Sequence, residues 1–178
     1  DWYDAYQIGD LATLFRLETR LLGRTKQLDD DLDTLFASGG DIAAKLSAFG
    51  SGPLADASRS MMGPGQESWL ADGLKASVNS AARWQILAQQ VIVGATRFPK
   101  ATAGWVNGAM PADMQADLDR RNQLTAAGMP SSLDKWDGYP AARQRLYDSA
   151  RAAGAKLVTL TGDSHNAWAF DLADARGS

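Results

Sequence analysis

Alternation marks the first patterned stretch of the chain. Across residues 9–18, Leu11, Thr13, Phe15 and Leu17 fall on one side of a period-two pattern, which predicts a half-buried strand with Arg20 emerging near its C-terminal end. The period then lengthens. Leu32, Leu35, Phe36, Ile42, Leu46 and Phe49 recur at helical spacing through residues 28–49, and Ser38-Gly39-Gly40 breaks the run into two short helices. Asp41 stands where its carboxylate can cap the second of them, and Asp29-Asp30-Asp31 reads as a solvated helix start. Dense Gly and Pro make residues 50–65 a loop, and a helix over 66–77 places Trp69, Leu70, Leu74 and Val78 on one face.

The second half of the chain repeats the mixture. Arg83 to Leu87 and Val91-Ile92-Val93 are β-branched and aromatic runs, one strand or a bent pair. Residues 97–110, with Phe98, Trp105 and Met110, read as a loop. Helical spacing returns over 113–127 until Gly128 and Pro130 end it. Trp136-Asp137-Gly138-Tyr139-Pro140 is a turn into a helix over 141–153, closed by Gly154. The last apolar run, 156–161, reads as a buried central strand that delivers Gly162-Asp163-Ser164-His165 at its C-terminal end. Together these elements predict an α/β fold of four or five strands and as many helices. Trp69, Trp84, Trp136 and Trp168 sit in patterned elements and are assigned to core or domain-edge packing.

Composition narrows the function. The 178 residues are 45% hydrophobic and 22% charged, the profile of a globular domain. Eighteen Lys and Arg against 21 Asp and Glu leave a net charge of −3, so there is no basic field for nucleic acid or anionic lipid. No apolar run is long enough to span a bilayer. Cysteine is absent, which excludes thiolate catalysis and thiolate metal sites within these residues. The chain opens on Asp1 and stops at Ala175-Arg176-Gly177-Ser178 soon after a strand, and reads as an excised piece of a longer protein.

One histidine exists, His165, two residues beyond Asp163 at a strand end. Side chains there point into a crevice in open α/β sheets. A carboxylate and an imidazole separated by Ser164 can converge on one cation when Gly162 permits a tight turn, and that mixed donor pair suits iron, zinc or manganese better than calcium. The plainer reading is a partly exposed histidine in a strand-to-loop turn. Two ligands do not complete a site, so further donors would have to come from elsewhere.

Four ordered blocks carry a resemblance: Phe15-Arg-Leu-Glu-Thr-Arg20, Met62-Gly-Pro-Gly-Gln-Glu-Ser-Trp-Leu70, Trp136-Asp-Gly-Tyr-Pro140 with Arg143-Gln-Arg-Leu146, and Val158-Thr-Leu-Thr-Gly-Asp-Ser-His-Asn-Ala-Trp168. In this order they resemble the alkaline phosphatase D (PhoD-like) metallophosphatase family, with residues 1–178 matching the C-terminal portion of its catalytic domain. The resemblance implies part of an α/β/β/α sandwich and hydrolysis of phosphate mono- or diesters by metal-activated water. It also implies divalent or trivalent metal ions, calcium with iron, and an exported, periplasmic or secreted, parent enzyme. It places Asp163 and His165 at the metal, His165 and Arg20 in catalysis, and a phosphate ester as partner. Glu18 stands where the family has aspartate and is given no ligand role. Tyr139 is read as part of the turn, and Gln66 as a backbone cap. A different class of function also fits the isolated chain: an inactive structural fragment that self-associates through exposed sheet edges.

Overall fold

A computed structural model of the chain describes residues 2–99 and 110–172. Most of the loop read across 97–110, including Trp105, and the closing Ala175 to Ser178 lie outside the described residues. Four strands form one mixed sheet in the order β1-β2-β3-β4: β1 Asp4–Ile8, β2 Ala12–Arg16, β3 Trp84–Gln89 and β4 Leu157–Thr161. β1 and β2 make an antiparallel hairpin, while β2, β3 and β4 run parallel. Among the described residues five α-helices fill the crossovers: α1 Asp29–Ala37, α2 Ile42–Ser51, α3 Gly63–Asn79, α4 Ala112–Ala126 and α5 Pro140–Ala153. The α/β class and the helix positions agree with the hydrophobic pattern.

The differences have physical causes. β1 carries almost no buried side chain, so it shows no hydrophobic period and is held by pairing with β2 alone. Residues 9–11 form the turn of that hairpin rather than the start of a strand, leaving Leu11 exposed. Val91-Ile92-Val93 is buried loop, not strand. The strand expected at the centre, β4, is instead at the edge of the described sheet, and Val158, Leu160 and Thr161 are exposed; β2 and β3 occupy the centre. Trp84 and Trp168 are also exposed, because Trp84 points away from the helices and Trp168 lies beyond β4, stacked on Phe170 at 5.6 Å. Trp136 is fully buried as expected, and Trp69 packs against the core.

α3 begins at Gly63, earlier than the apolar spacing alone indicates, with Pro64 in its first turn where a missing N–H costs nothing. Its entry is held by close backbone contact: a Cβ built on Gly23 would lie 2.7 Å from the Gly63 Cα. α3 and α5 pack on one face of the sheet, clamped together by the bidentate Arg145–Glu67 pair at 2.7 and 2.9 Å. Between them and the sheet, Phe15, Leu70, Leu74, Leu87, Trp136 and Leu146 form the main core. A second cluster, including Leu32, Leu46, Phe49 and Leu124, joins α1, α2 and α4. Asp41 caps α2 as expected, accepting from the Ala44 N–H at 3.0 Å.

The turn at 136–140 is anchored rather than merely tight. Asp137 is buried, accepts from the Thr96 N–H at 2.8 Å, and pairs with Arg143 at 2.7 Å. Gly138 approaches so closely that a Cβ there would meet the Leu133 carbonyl oxygen at 2.0 Å. These contacts carry residues 133–135 toward the C-terminal ends of the parallel strands.

Candidate functional site

Because β2, β3 and β4 are parallel, their C-terminal ends open on the same side of the sheet. The segment after β2 brings Glu18 to Arg20, and the segment after β4 brings Gly162 to His165. Glu18 holds the first of these loops: one carboxylate oxygen accepts from the Arg20 N–H at 2.8 Å, the other from Leu21 and Leu22 at 2.8 and 2.6 Å. Gln66 clasps the Glu18 backbone, accepting from its N–H at 2.8 Å and donating to its carbonyl at 2.7 Å; it binds backbone as expected, but that of the β2 strand end rather than the cap of its own helix. Thr19 donates through its N–H and hydroxyl to the Gln90 side chain at 3.0 and 2.7 Å, tying the ends of β2 and β3 together. The backbone leading to Arg20 is therefore fixed on both sides.

Arg20 reaches across the strand ends. Its Nη1 donates to both oxygens of Asp134, at 2.9 and 2.8 Å, and its Nη2 pairs with Asp163 Oδ2. The hydrogen bond that Arg20 donates to Asp134 is the largest influence raising the guanidinium pKa above its ordinary value. Asp134 also accepts from Arg24 Nη2 at 2.8 Å and from the Gln27 amide. Burial pushes the Asp134 carboxyl up, but the hydrogen bonds from Arg20 and Arg24 outweigh it and hold the group below the usual aspartate range.

Arg24 is fixed in turn by Tyr139. Its Nε donates to the Tyr139 hydroxyl at 3.0 Å, and that hydroxyl donates to the Thr25 carbonyl at 2.8 Å. The guanidiniums of Arg24 and Arg59 lie against the fully buried Tyr139 ring, 5.2 and 4.6 Å from its centroid. Asp134, Arg24 and Gln27 were not singled out by the sequence pattern. The available signal was the position of Asp134 two residues before a turn that the resemblance already marked.

Asp134 and Asp163 line one cleft of about 230 Å³, along with Lys135, Ser164, Asn166 and Trp168. Lys135 is partly buried, and that desolvation lowers its pKa. The structure thus joins Arg20 to Asp163 at the strand ends. It does not join His165 to them in the same way: the imidazole is exposed and stands outside the residues lining this cleft. Asp163 and His165 both adopt left-handed backbone, with φ of 68° and 56°. Two such residues in one short turn concentrate the kind of strain that functional sites retain.

Asp163 and His165 are ligand types, but among the described residues no group of three or more His, Cys, Asp or Glu side chains comes together. These residues alone do not make a metal cage, and Asp163 already faces the Arg20 cation.

The family model for PhoD-like phosphatase matches residues 1–178. The chain belongs to the PhoD-like phosphatase family. Alkaline phosphatase D of Bacillus subtilis (strain 168) is 30% identical over 175 residues, a match covering 96% of this chain and 22% of that relative. A solved structure described as "Structure of PhoD" superposes with a TM-score of 0.53 at 26% identity, covering 92% of this chain and 23% of that one. The chain spans less than a quarter of the length of either PhoD relative.

Proposed function

We propose that this chain is the C-terminal, arginine-bearing portion of a PhoD-like catalytic domain whose parent hydrolyses phosphate mono- or diesters with metal-activated water. Family membership supports a phosphatase function. The observation that carries the finer reading is the placement of Arg20, anchored through one amino group on Asp134 while the other faces Asp163 at the strand ends. A transferring phosphoryl group spreads negative charge over its equatorial oxygens, and a permanently charged planar guanidinium held in place stabilises that charge without reorganising. Substrate phosphate competes with Asp163 for Arg20 Nη2, and Asp134 keeps the guanidinium oriented during that exchange.

Asp163 and His165 supply one carboxylate and one imidazole toward a metal centre that donors from outside this chain complete. When bound, divalent or trivalent ions, calcium with iron by family resemblance, would lower the pKa of coordinated water to give a nucleophile near neutral pH. On the same resemblance we read the parent as an exported enzyme. The test is hydrolysis of an aryl phosphate ester by the full-length parent with metal supplied: Asp163→Ala and His165→Ala each abolish turnover. Full activity in both variants rejects the assignment.

A second reading applies to the 178 residues alone, favoured by the two-residue donor set. In isolation the chain is a folded, catalytically inactive fragment. Metal analysis of the purified chain separates the two cases, because stoichiometric metal would show a self-sufficient site.

A further inference from the structure

Two cations reach the strand-end cleft, and they are held differently. Arg20 meets a carboxylate through each of its amino groups, Asp134 through one and Asp163 through the other. Lys135, the residue after Asp134 and part of the cleft wall, is held by a neutral group: its Nζ donates to the Ser131 hydroxyl at 3.2 Å. Among the described residues no carboxylate pairs with it.

The carboxylate whose charge bears on Lys135 is Asp137, and both of its oxygens are already committed. Oδ2 accepts from the Thr96 N–H at 2.8 Å and the Thr96 hydroxyl at 3.2 Å, while Oδ1 faces Arg143 at 2.7 Å and Arg97 at 3.5 Å. Lys135 is linked to it only through hydroxyls, with Ser131 and Thr96 oxygens 2.8 Å apart. Three cations around one buried carboxylate leave positive charge unmatched, and a partly desolvated ammonium is stable when an anion faces it. Contacts within this chain alone deliver Lys135 to the cleft, because Trp136 and Asp137 after it are buried and Gly138 is pressed against the Leu133 carbonyl.

The two cations also stand in separate surroundings. Asp134 and Asp163 act on Arg20, whereas Asp137 and Arg97 act on Lys135. A phosphoryl group at Arg20 therefore leaves Lys135 for another part of the same substrate.

We propose that Lys135 is a specificity-determining residue whose ammonium receives a second anionic group, carboxylate or phosphate, carried on the alcohol portion of an ester whose phosphoryl group lies at Arg20. The inference rests on the reading of Arg20 as the phosphoryl-binding residue. Lysine suits the role because an ammonium is a point charge that accepts either anion without demanding two-pronged geometry. Val91 and Ile92 give the same cleft an apolar wall for the carbon skeleton joining the two anions.

Steady-state hydrolysis by the full-length parent, with metal supplied, tests this on three esters. Two carry a second anion, 4-carboxyphenyl phosphate and 1,4-phenylene bisphosphate; in the third, 4-carbamoylphenyl phosphate, the substituent is uncharged. In Lys135→Met, kcat/KM should fall about 10-fold or more for an anionic ester, mainly through KM, and less than about threefold for the carbamoyl ester. The anionic ester that loses more names the group. Lys135→Arg, which keeps the charge, should behave as wild type. Equal losses on all three esters overturn the proposal, and so does no loss on any. Should the methionine variant lose its circular dichroism, the wild type decides: a several-fold lower KM for an anionic ester than for the carbamoyl ester supports the subsite, and equal KM values refute it. Failure of the underlying reading shows separately, as Arg20→Ala hydrolysing the carbamoyl ester at the wild-type rate, which would remove the phosphoryl site and this proposal with it.

Discussion

Asp134 and Arg24 are joined twice: Arg24 Nη2 lies 2.8 Å from the Asp134 carboxylate and 2.8 Å from its carbonyl oxygen. The Arg24 side chain is 8% exposed, while Asp134 is open enough to line the cleft. A buried cation on the core side thus fixes a carboxylate whose other cationic partner, Arg20, faces the strand ends. Rigidity passes from the Tyr139 stack through Arg24 and Asp134 to the Arg20 guanidinium proposed to meet phosphate.

Asp134→Asn tests that chain of contacts. The neutral amide keeps the volume but leaves Arg20 and Arg24 without their shared counter-charge, and Arg24 has little access to water. Loss of about 1–3 kcal/mol is expected, the range for leaving buried polar groups imperfectly satisfied. Urea denaturation of the isolated chain measures it. An unchanged midpoint would show that Asp134 is not what holds Arg24.

Acid stability follows from the same carboxylate together with Glu67. Burial raises the Glu67 pKa, but the hydrogen bonds from Arg145 and Ser60 outweigh it, so its folded-state pKa lies below the unfolded value, like that of Asp134. Groups with depressed folded pKa values contribute stability above their unfolded pKa and lose it as pH falls through the folded one. Asp29 works the other way: burial raises its pKa, so its ionisation subtracts stability above the unfolded value. Asp56, exposed and held low by hydrogen bonds from Ser58, acts in the same direction as Glu67 and Asp134, so with three groups against one the melting temperature should change little from pH 7 to about 5 and fall below about pH 4. In Glu67→Gln the low-pH fall should be shallower; an identical slope would remove Glu67 from the account.

Gly138→Ala should be among the most damaging single changes. The added methyl would sit 2.0 Å from the Leu133 carbonyl oxygen, which is backbone and cannot rotate away. Either the turn at 136–140 or residues 133–135 must shift, and Asp134 moves with them. A loss of about 3 kcal/mol or more is expected, read as a lowered thermal midpoint. A midpoint within a degree of wild type would mean that the turn is looser than its contacts indicate.

Much of this was legible in the sequence, and the limits are specific. Phe15 and Leu74 announce their elements through periodicity because each element has one buried side. β1 escaped because Ala5, Tyr6 and Gln7 are exposed and give no period; register with β2 holds them. β4 reads as a central strand because Val158 and Leu160 are apolar, and pattern alone cannot distinguish an apolar side chain covered by neighbours from one left bare. At the site, the strand patterns put both Asp163 and Arg20 near strand ends, and the resemblance supplied the role of Arg20. Neither could show that a residue 114 positions away in sequence, Asp134, would bind Arg20 through both oxygens. Such pairings depend on how the 136–140 turn docks, which composition and period do not encode.

Arg20→Lys distinguishes a positioned fork from a simple positive charge. The guanidinium uses two amino groups at once, Nη1 on Asp134 and Nη2 toward Asp163 and the strand-end opening. A lysine ammonium is one compact charge, and if it stays with Asp134 it has no second planar donor to offer a phosphoryl oxygen. Folding should survive, because Arg20 is partly exposed and Asp134 keeps Arg24. In the full-length parent, on the activity proposed above, kcat for an aryl phosphate should therefore fall about 10²–10³-fold, the cost of losing one preorganised donor. Arg20→Ala should be scarcely worse. A lysine variant retaining most of the wild-type rate would show that charge alone suffices, and that the grip of Asp134 on Arg20 serves the fold rather than the reaction.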